Sequence, residues 1–117
     1  MSSPYLLIGN ELPLYREVLK GVLQTLRPEI AVCTVPATEV DAVVKSNHPW
    51  LVICSAPSTI IEECAPAWIL LHPNEDAHTI VSTGSERCTI PHPTIAELLG
   101  IIDAVWAKMP LTTCTDV

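Results

Sequence analysis

Leu51-Val52-Ile53-Cys54 is a run of four apolar residues closed off by Pro49 on one side and Pro57 on the other. The run is short for a helix and does not alternate with polar residues, so it predicts a strand buried on both faces. Such a strand needs a layer on each side, which points to an α/β architecture with the sheet in the middle. It opens into the polar turn Ser55-Ala56-Pro57-Ser58-Thr59. In open α/β sheets chemistry sits at the carboxyl ends of the strands, so Ser55 becomes the first candidate site residue.

The rest of the chain repeats the pattern. Tyr5-Leu6-Leu7-Ile8 reads as another buried strand, ended by Gly9-Asn10-Glu11. Leu14, Tyr15, Val18, Leu19, Val22, Leu23 and Leu26 then recur at helical spacing, with Pro13 in the first turn and Pro28 beyond the end, predicting a helix over 13–26. Ile30 to Val35 predicts a second strand. A short helix follows to about Ser46, with Thr38 and Asp41 as a variant capping pair and Asn47 as its left-handed cap. Beyond the central strand, Ser58 or Thr59 caps one helical turn over 60–64, and Ala67 to Leu71 gives a fourth strand. His78–Thr83 and Arg87–Ile90 alternate around Gly84-Ser85 and predict a hairpin where another crossover helix would be expected. Thr94 and Glu97 form a capping box for a last helix to about Lys108, with Ile95, Leu98, Leu99, Ile102, Val105 and Trp106 on its buried face. The expected organisation is one domain over 1–108, a three-layer sandwich with a parallel central sheet, and a tail over 109–117.

Composition narrows the function. The 117 residues carry a net charge of −7 with only six Lys and Arg, so a phosphate backbone would be repelled and nucleic-acid binding by this chain alone is not expected. No apolar run reaches membrane-spanning length, and the first residues lack the pattern of a secretory leader, which makes a cytoplasmic protein the expectation. The five cysteines form no CxxC, and Cys33, Cys54 and Cys88 lie in strand-like runs, predicting reduced and mostly buried thiols.

Asn10-Glu11-Leu12-Pro13-Leu14-Tyr15-Arg16-Glu17-Val18-Leu19 resembles the segment that follows the first strand in response-regulator receiver (CheY-like) domains, which belong to two-component signal transduction. Pro49 to Ser55 resembles their third strand, and Ile95 to Trp106 their last helix. The separation of Glu11 from Ser55 also matches the family's spacing between its second acid and its phosphoacceptor. The resemblance covers 1–56 and 94–107 and implies a flavodoxin-like fold. It also implies a phosphorylation pocket at Asn10, Glu11 and Ser55, in a degenerate form. An aspartyl-phosphate switch needs an acceptor carboxylate and Mg²⁺ held by acids. Here the acid pair is Asn10 and Glu11, the acceptor position is Ser55, the hydroxy-residue position falls near His72, and the Lys position falls near Ile90-Pro91.

Other chemistries fare less well on the residues. The loop after Cys54 has Pro57 and neither Gly nor Arg to converge on an anion, and Ser55 lacks a Gly-x-Ser-x-Gly elbow. His48, His72, His78 and His92 with Cys88 match no compact zinc spacing. The expectation is a non-catalytic pseudo-receiver without metal or cofactor that binds a protein partner. Trp106 and Met109 are candidate contact residues, and a homodimer through the last helix and the hairpin edge is one form of that binding. The alternative is a small-molecule or metal-sensing module using the pocket near Asn10, Glu11 and Ser55.

Overall fold

The computed structural model describes residues 5–55, 58–71, 78–83, 86–91 and 93–108. In chain order these form β1 (Leu6–Gly9), α1 (Pro13–Leu26), β2 (Val32–Thr34), a single 3-10 turn (Ala37–Glu39), α2 (Val40–Asn47), β3 (Leu51–Cys54), α3 (Thr59–Cys64), β4 (Ala67–Leu70), β5 (His78–Thr83), β6 (Glu86–Pro91) and α4 (Ile95–Lys108). The elements make one six-stranded sheet in the order β2-β1-β3-β4-β5-β6. The pairings β1 with β2, β1 with β3 and β3 with β4 are parallel. The predicted hairpin adds β5 and β6 antiparallel beyond β4, so the sheet is parallel over four strands and mixed as a whole.

The alternation of side chains along each strand splits the core into two layers. Leu6, Ile8, Leu51, Ile53 and Ile69 pack with Leu19 and Leu23 of α1 and Leu98, Ile102 and Val105 of α4. Leu7, Val52 and Trp68 pack with Val40 and Val44 of α2 and Ile61 of α3. The central strand is buried along its whole length because a helical layer covers each face. Trp50 at its foot meets Trp106 of α4 edge-to-face, ring centroids 4.9 Å apart, which accounts for two of the three tryptophans as packing residues.

Local chemistry sets the helix ends. Pro13 starts α1, whose first position has no side-chain cap. The capping box is formed: the Thr94 N–H donates to Glu97 at 2.8 Å and the Glu97 N–H to Thr94 Oγ1 at 3.1 Å. Two expected caps are not. Asn47 stays helical and His48 takes the left-handed position at φ 52, because its N–H still reaches the Val44 carbonyl and extends α2 by one residue. Thr38 and Asp41 do not cap α2, since Asp41 is drawn to Ser58.

Three further expectations are corrected. Among the described cysteines only Cys54 is buried, while Cys33, Cys64 and Cys88 are exposed. The strand order explains two of these, because β2 and β6 are the sheet edges. The apolar face of α1 is wider than the core can cover, so Leu19 and Leu23 are buried while Leu14, Val18 and Leu26 are exposed. Ile95 is exposed for the same reason at the start of α4.

Arg27, just past α1, ties the two helices of one layer together. Its Nε donates to Asp103 Oδ1 at 2.8 Å and its outer nitrogen to Oδ2 at 2.7 Å. These hydrogen bonds hold the Asp103 carboxyl below the usual carboxylate range. A depressed acid stabilises the fold above its unfolded pKa, and that contribution is lost as pH falls through its folded value. Asp103→Asn is therefore expected to lower Tm at neutral pH, and its deficit relative to wild type should close as the melts are moved into acid. The pair is part-exposed, so the neutral-pH effect is small.

Candidate functional site

The carboxyl ends of β1, β3 and β4 come together at three residues. Asn10 follows β1 and is fully buried, Ser55 follows β3 and is nearly so, and Leu71 follows β4. The Leu71 N–H donates to the Cys54 carbonyl at 2.9 Å. The Leu71 carbonyl accepts from the Asn10 amide nitrogen at 2.6 Å. One backbone unit thus stitches three adjacent strand ends, through a side chain 61 positions away in the chain.

Ser55 is engaged as well. Its hydroxyl oxygen accepts from the Glu11 N–H at 2.8 Å, which closes the β1–α1 loop onto β3. Arg16, in the first turns of α1, braces the same loop by donating to the Asn10 carbonyl at 2.7 Å. Asn10, Glu11 and Ser55, selected from the sequence, are therefore brought together. Their roles differ from those of a reactive acid cluster. The Glu11 carboxylate is exposed, Asn10 spends its amide nitrogen on a carbonyl, and its buried Oδ1 has no hydrogen-bond partner among the described residues. The one hydroxyl at the acceptor position holds a loop.

A pocket of about 260 Å³ opens beside this cluster, toward α2 and α3. Glu11, Thr38, Asp41, Ser55 and Ser58 supply its polar wall and Gly9 part of its floor. Ser58 donates to Asp41 Oδ1 at 2.6 Å and accepts from the Ile61 N–H at 3.2 Å, so it caps α3 and fixes the acid at once. This pairing joins two crossovers 17 positions apart. Asp41, Ser58 and Arg16 are the site residues that sequence reasoning did not select. Ser58 was expected only as a cap of α3, which it is, and nothing local marks Asp41 as its partner.

The remaining candidates lie elsewhere. Trp106 is half-buried against Trp50. Met109, His72 and His92 fall outside the described residues. Ile90 and Pro91, at the position expected for the receiver lysine, end β6 at the sheet edge. Among the described residues no three His, Cys, Asp or Glu side chains come together as a metal site, and no helix is long and apolar enough to cross a membrane. Comparison with models of known families, with curated proteins and with solved structures finds no match.

Proposed function

We propose that this chain is a signalling module of the receiver type that acts through protein contacts and without phosphorylation. The observation that carries the reading is Ser55. It offers a hydroxyl at the end of the central strand, where a receiver would need a carboxylate, and that hydroxyl is held by the Glu11 N–H. Forming an aspartyl phosphate requires a carboxylate oxygen that attacks the phosphoryl group, with acids holding Mg²⁺ against the developing charge. The two acid positions are filled by Asn10, buried against the Leu71 carbonyl, and Glu11, a single exposed carboxylate. The strand order β2-β1-β3-β4 favours a flavodoxin-like ancestry for the parallel half. The hairpin β5–β6 stands where a receiver carries a crossover helix, so the surface offered to a partner is this chain's own.

In this reading the chain needs no cofactor, catalyses nothing, and works in the cytoplasm on a protein partner. Incubation with Mg²⁺ and acetyl phosphate, followed by intact mass measurement, is expected to leave the mass unchanged. A labile species one phosphoryl group heavier would end the reading.

The 260 Å³ pocket beside Ser55 favours a second reading, a module that senses a small polar molecule or a metal through Glu11, Asp41 and Ser55. A ligand that binds the folded state raises Tm with its concentration. A saturable Tm increase in a screen of divalent cations and small polar metabolites, abolished by Asp41→Ala, would establish it in place of the first.

A further inference from the structure

The neighbouring strands β1 and β3 send the chain to opposite faces of the sheet. After β1 it turns to α1, which packs with Leu6 and Ile8. After β3 it turns to α3, which packs with Leu7 and Val52. Loops that part in this way leave a crevice at the carboxyl ends of the two strands, and open α/β sheets bind ligands in that crevice. The 260 Å³ pocket is this crevice. Gly9 and Glu11 reach it from the first loop, Cys54 and Ser55 from the second, and the starts of α2 and α3 close it.

We propose that the crevice binds a small amino alcohol, a primary ammonium ion on a short carbon chain that also carries a hydroxyl. The proposal rests on the second reading above, that the pocket takes a ligand, and adds the ligand's chemistry. Three observations select it. The first is charge. Glu11 and Asp41 are the charged residues of the wall, and both are acids. Neither belongs to an ion pair among the described residues. Arg16, close by in the chain, is spent on the Asn10 and Glu11 carbonyls. Ser58 donates to Asp41 Oδ1 but brings no charge, and Oδ2 is left for a ligand. Such a wall repels a phosphate or a carboxylate and holds an ammonium group through charge-assisted hydrogen bonds.

The second is the Ser55 hydroxyl. Ser55 lines the pocket and is 8% exposed. Its oxygen accepts from the Glu11 N–H, while its own proton has no acceptor among the described residues. A buried donor left without an acceptor is costly, and a ligand oxygen would relieve it. A plain alkylammonium has no such oxygen, whereas an amino alcohol does.

The third is the floor. Gly9, Val40, Cys54 and Ile61 line the pocket with apolar surface that a metal ion cannot use. Calcium would also need about six to eight oxygen ligands, and no three His, Cys, Asp or Glu side chains come together among the described residues. A short carbon chain fits this surface. The pocket's 260 Å³ is the share of about nine waters at roughly 30 Å³ each, which bounds the ligand to about that many non-hydrogen atoms.

The probe is aminobutanol with one group at each chain end. Butylamine keeps its charge without the hydroxyl, and butanediol keeps hydroxyls without the charge. ¹⁵N–¹H spectra of the full chain are recorded as each is added at constant pH and ionic strength. Aminobutanol is expected to shift the Glu11, Asp41 and Ser55 amides saturably, with a Kd in the low millimolar range. Butylamine should bind several-fold more weakly, and butanediol should give no saturable shift. Asp41→Asn removes the charge but keeps an acceptor for Ser58, and should weaken aminobutanol at least about tenfold, the loss of one charge-assisted hydrogen bond. Circular dichroism reads whether that variant is folded; if it is not, Glu11→Gln, at an exposed carboxylate, carries the same expectation. Aminobutanol that moves none of these amides overturns the proposal. So does aminobutanol bound as tightly by the folded variant as by wild type, or no more tightly than butylamine. Saturable shifts of the same amides with a divalent cation or with butanediol, and none with aminobutanol, overturn it while leaving the pocket-sensing reading in place. No saturable shift with any of them overturns both.

Discussion

Replacing Gly9 by alanine or valine is expected to destabilise the protein by about 1–3 kcal/mol, the usual cost of overpacking a filled core. Gly9 is the last residue of β1 and lies against the start of α2. A Cβ at this position would overlap the side chain of Val40. Val40 is itself buried and β-branched, with little rotamer freedom to move aside. Against a total stability of about 5–15 kcal/mol the loss is substantial. Denaturant unfolding of Gly9→Ala, Val40→Ala and the double variant would measure it. The double variant should be more stable than the sum of the single losses predicts, because removing the Val40 methyls makes room for the new Cβ. A Gly9→Ala protein as stable as wild type would show that α2 moves aside freely.

Asn10→Asp, which introduces the acid that receiver domains carry at the matching position, is expected to be more damaging still at neutral pH. Asn10 is fully buried and its amide nitrogen donates to the Leu71 carbonyl at 2.6 Å. A carboxylate there would face a carbonyl oxygen, shut off from solvent and with no donor among the described residues. Burial of an uncompensated charge costs about 3–5 kcal/mol. The group would resist ionisation, so its pKa in the folded state would rise above the unfolded value of about 3.9. A raised acid leaves stability intact below the unfolded pKa and loses it as pH climbs toward the folded value. The variant should therefore approach wild-type stability in acid, where the neutral carboxyl can donate to Leu71, and fall behind as pH rises. Equal stability at pH 7 would mean that the strand-end cluster is open to water.

This contrast explains which parts of the molecule were legible in the sequence. The strand Leu51–Cys54, the helices over 13–26 and 95–108 and the hairpin over 78–91 were legible because each rests on a local pattern: an apolar run, a helical period, a capping box, a turn between alternating segments. What escaped depends on strand order or on pairs far apart in the chain. Cys33 and Cys88 sit in strand-like runs, yet are exposed because β2 and β6 are edges. Leu14 and Val18 have the period of a buried face, yet the core is filled by Leu19 and Leu23. In the site, Ser55 was found by its place after a strand, and Asn10 and Glu11 through the resemblance to receiver domains. Their bonds were not, because the Leu71 carbonyl and the Ser58–Asp41 pair are supplied by other crossovers. His48 displaced Asn47 as a cap through a single added helical bond, a difference below what residue preferences can decide.

On the proposed reading, the cluster at Asn10, Glu11 and Ser55 is a closed structural contact and not a phosphoacceptor site. The Glu11 amide, bonded to Ser55 Oγ at 2.8 Å, reports on it directly. ¹⁵N–¹H spectra recorded while Mg²⁺ and then acetyl phosphate are added should leave the Glu11 and Ser55 resonances in place. A saturable shift of these two amides with Mg²⁺, followed by a second set of peaks on adding the phosphodonor, would contradict it.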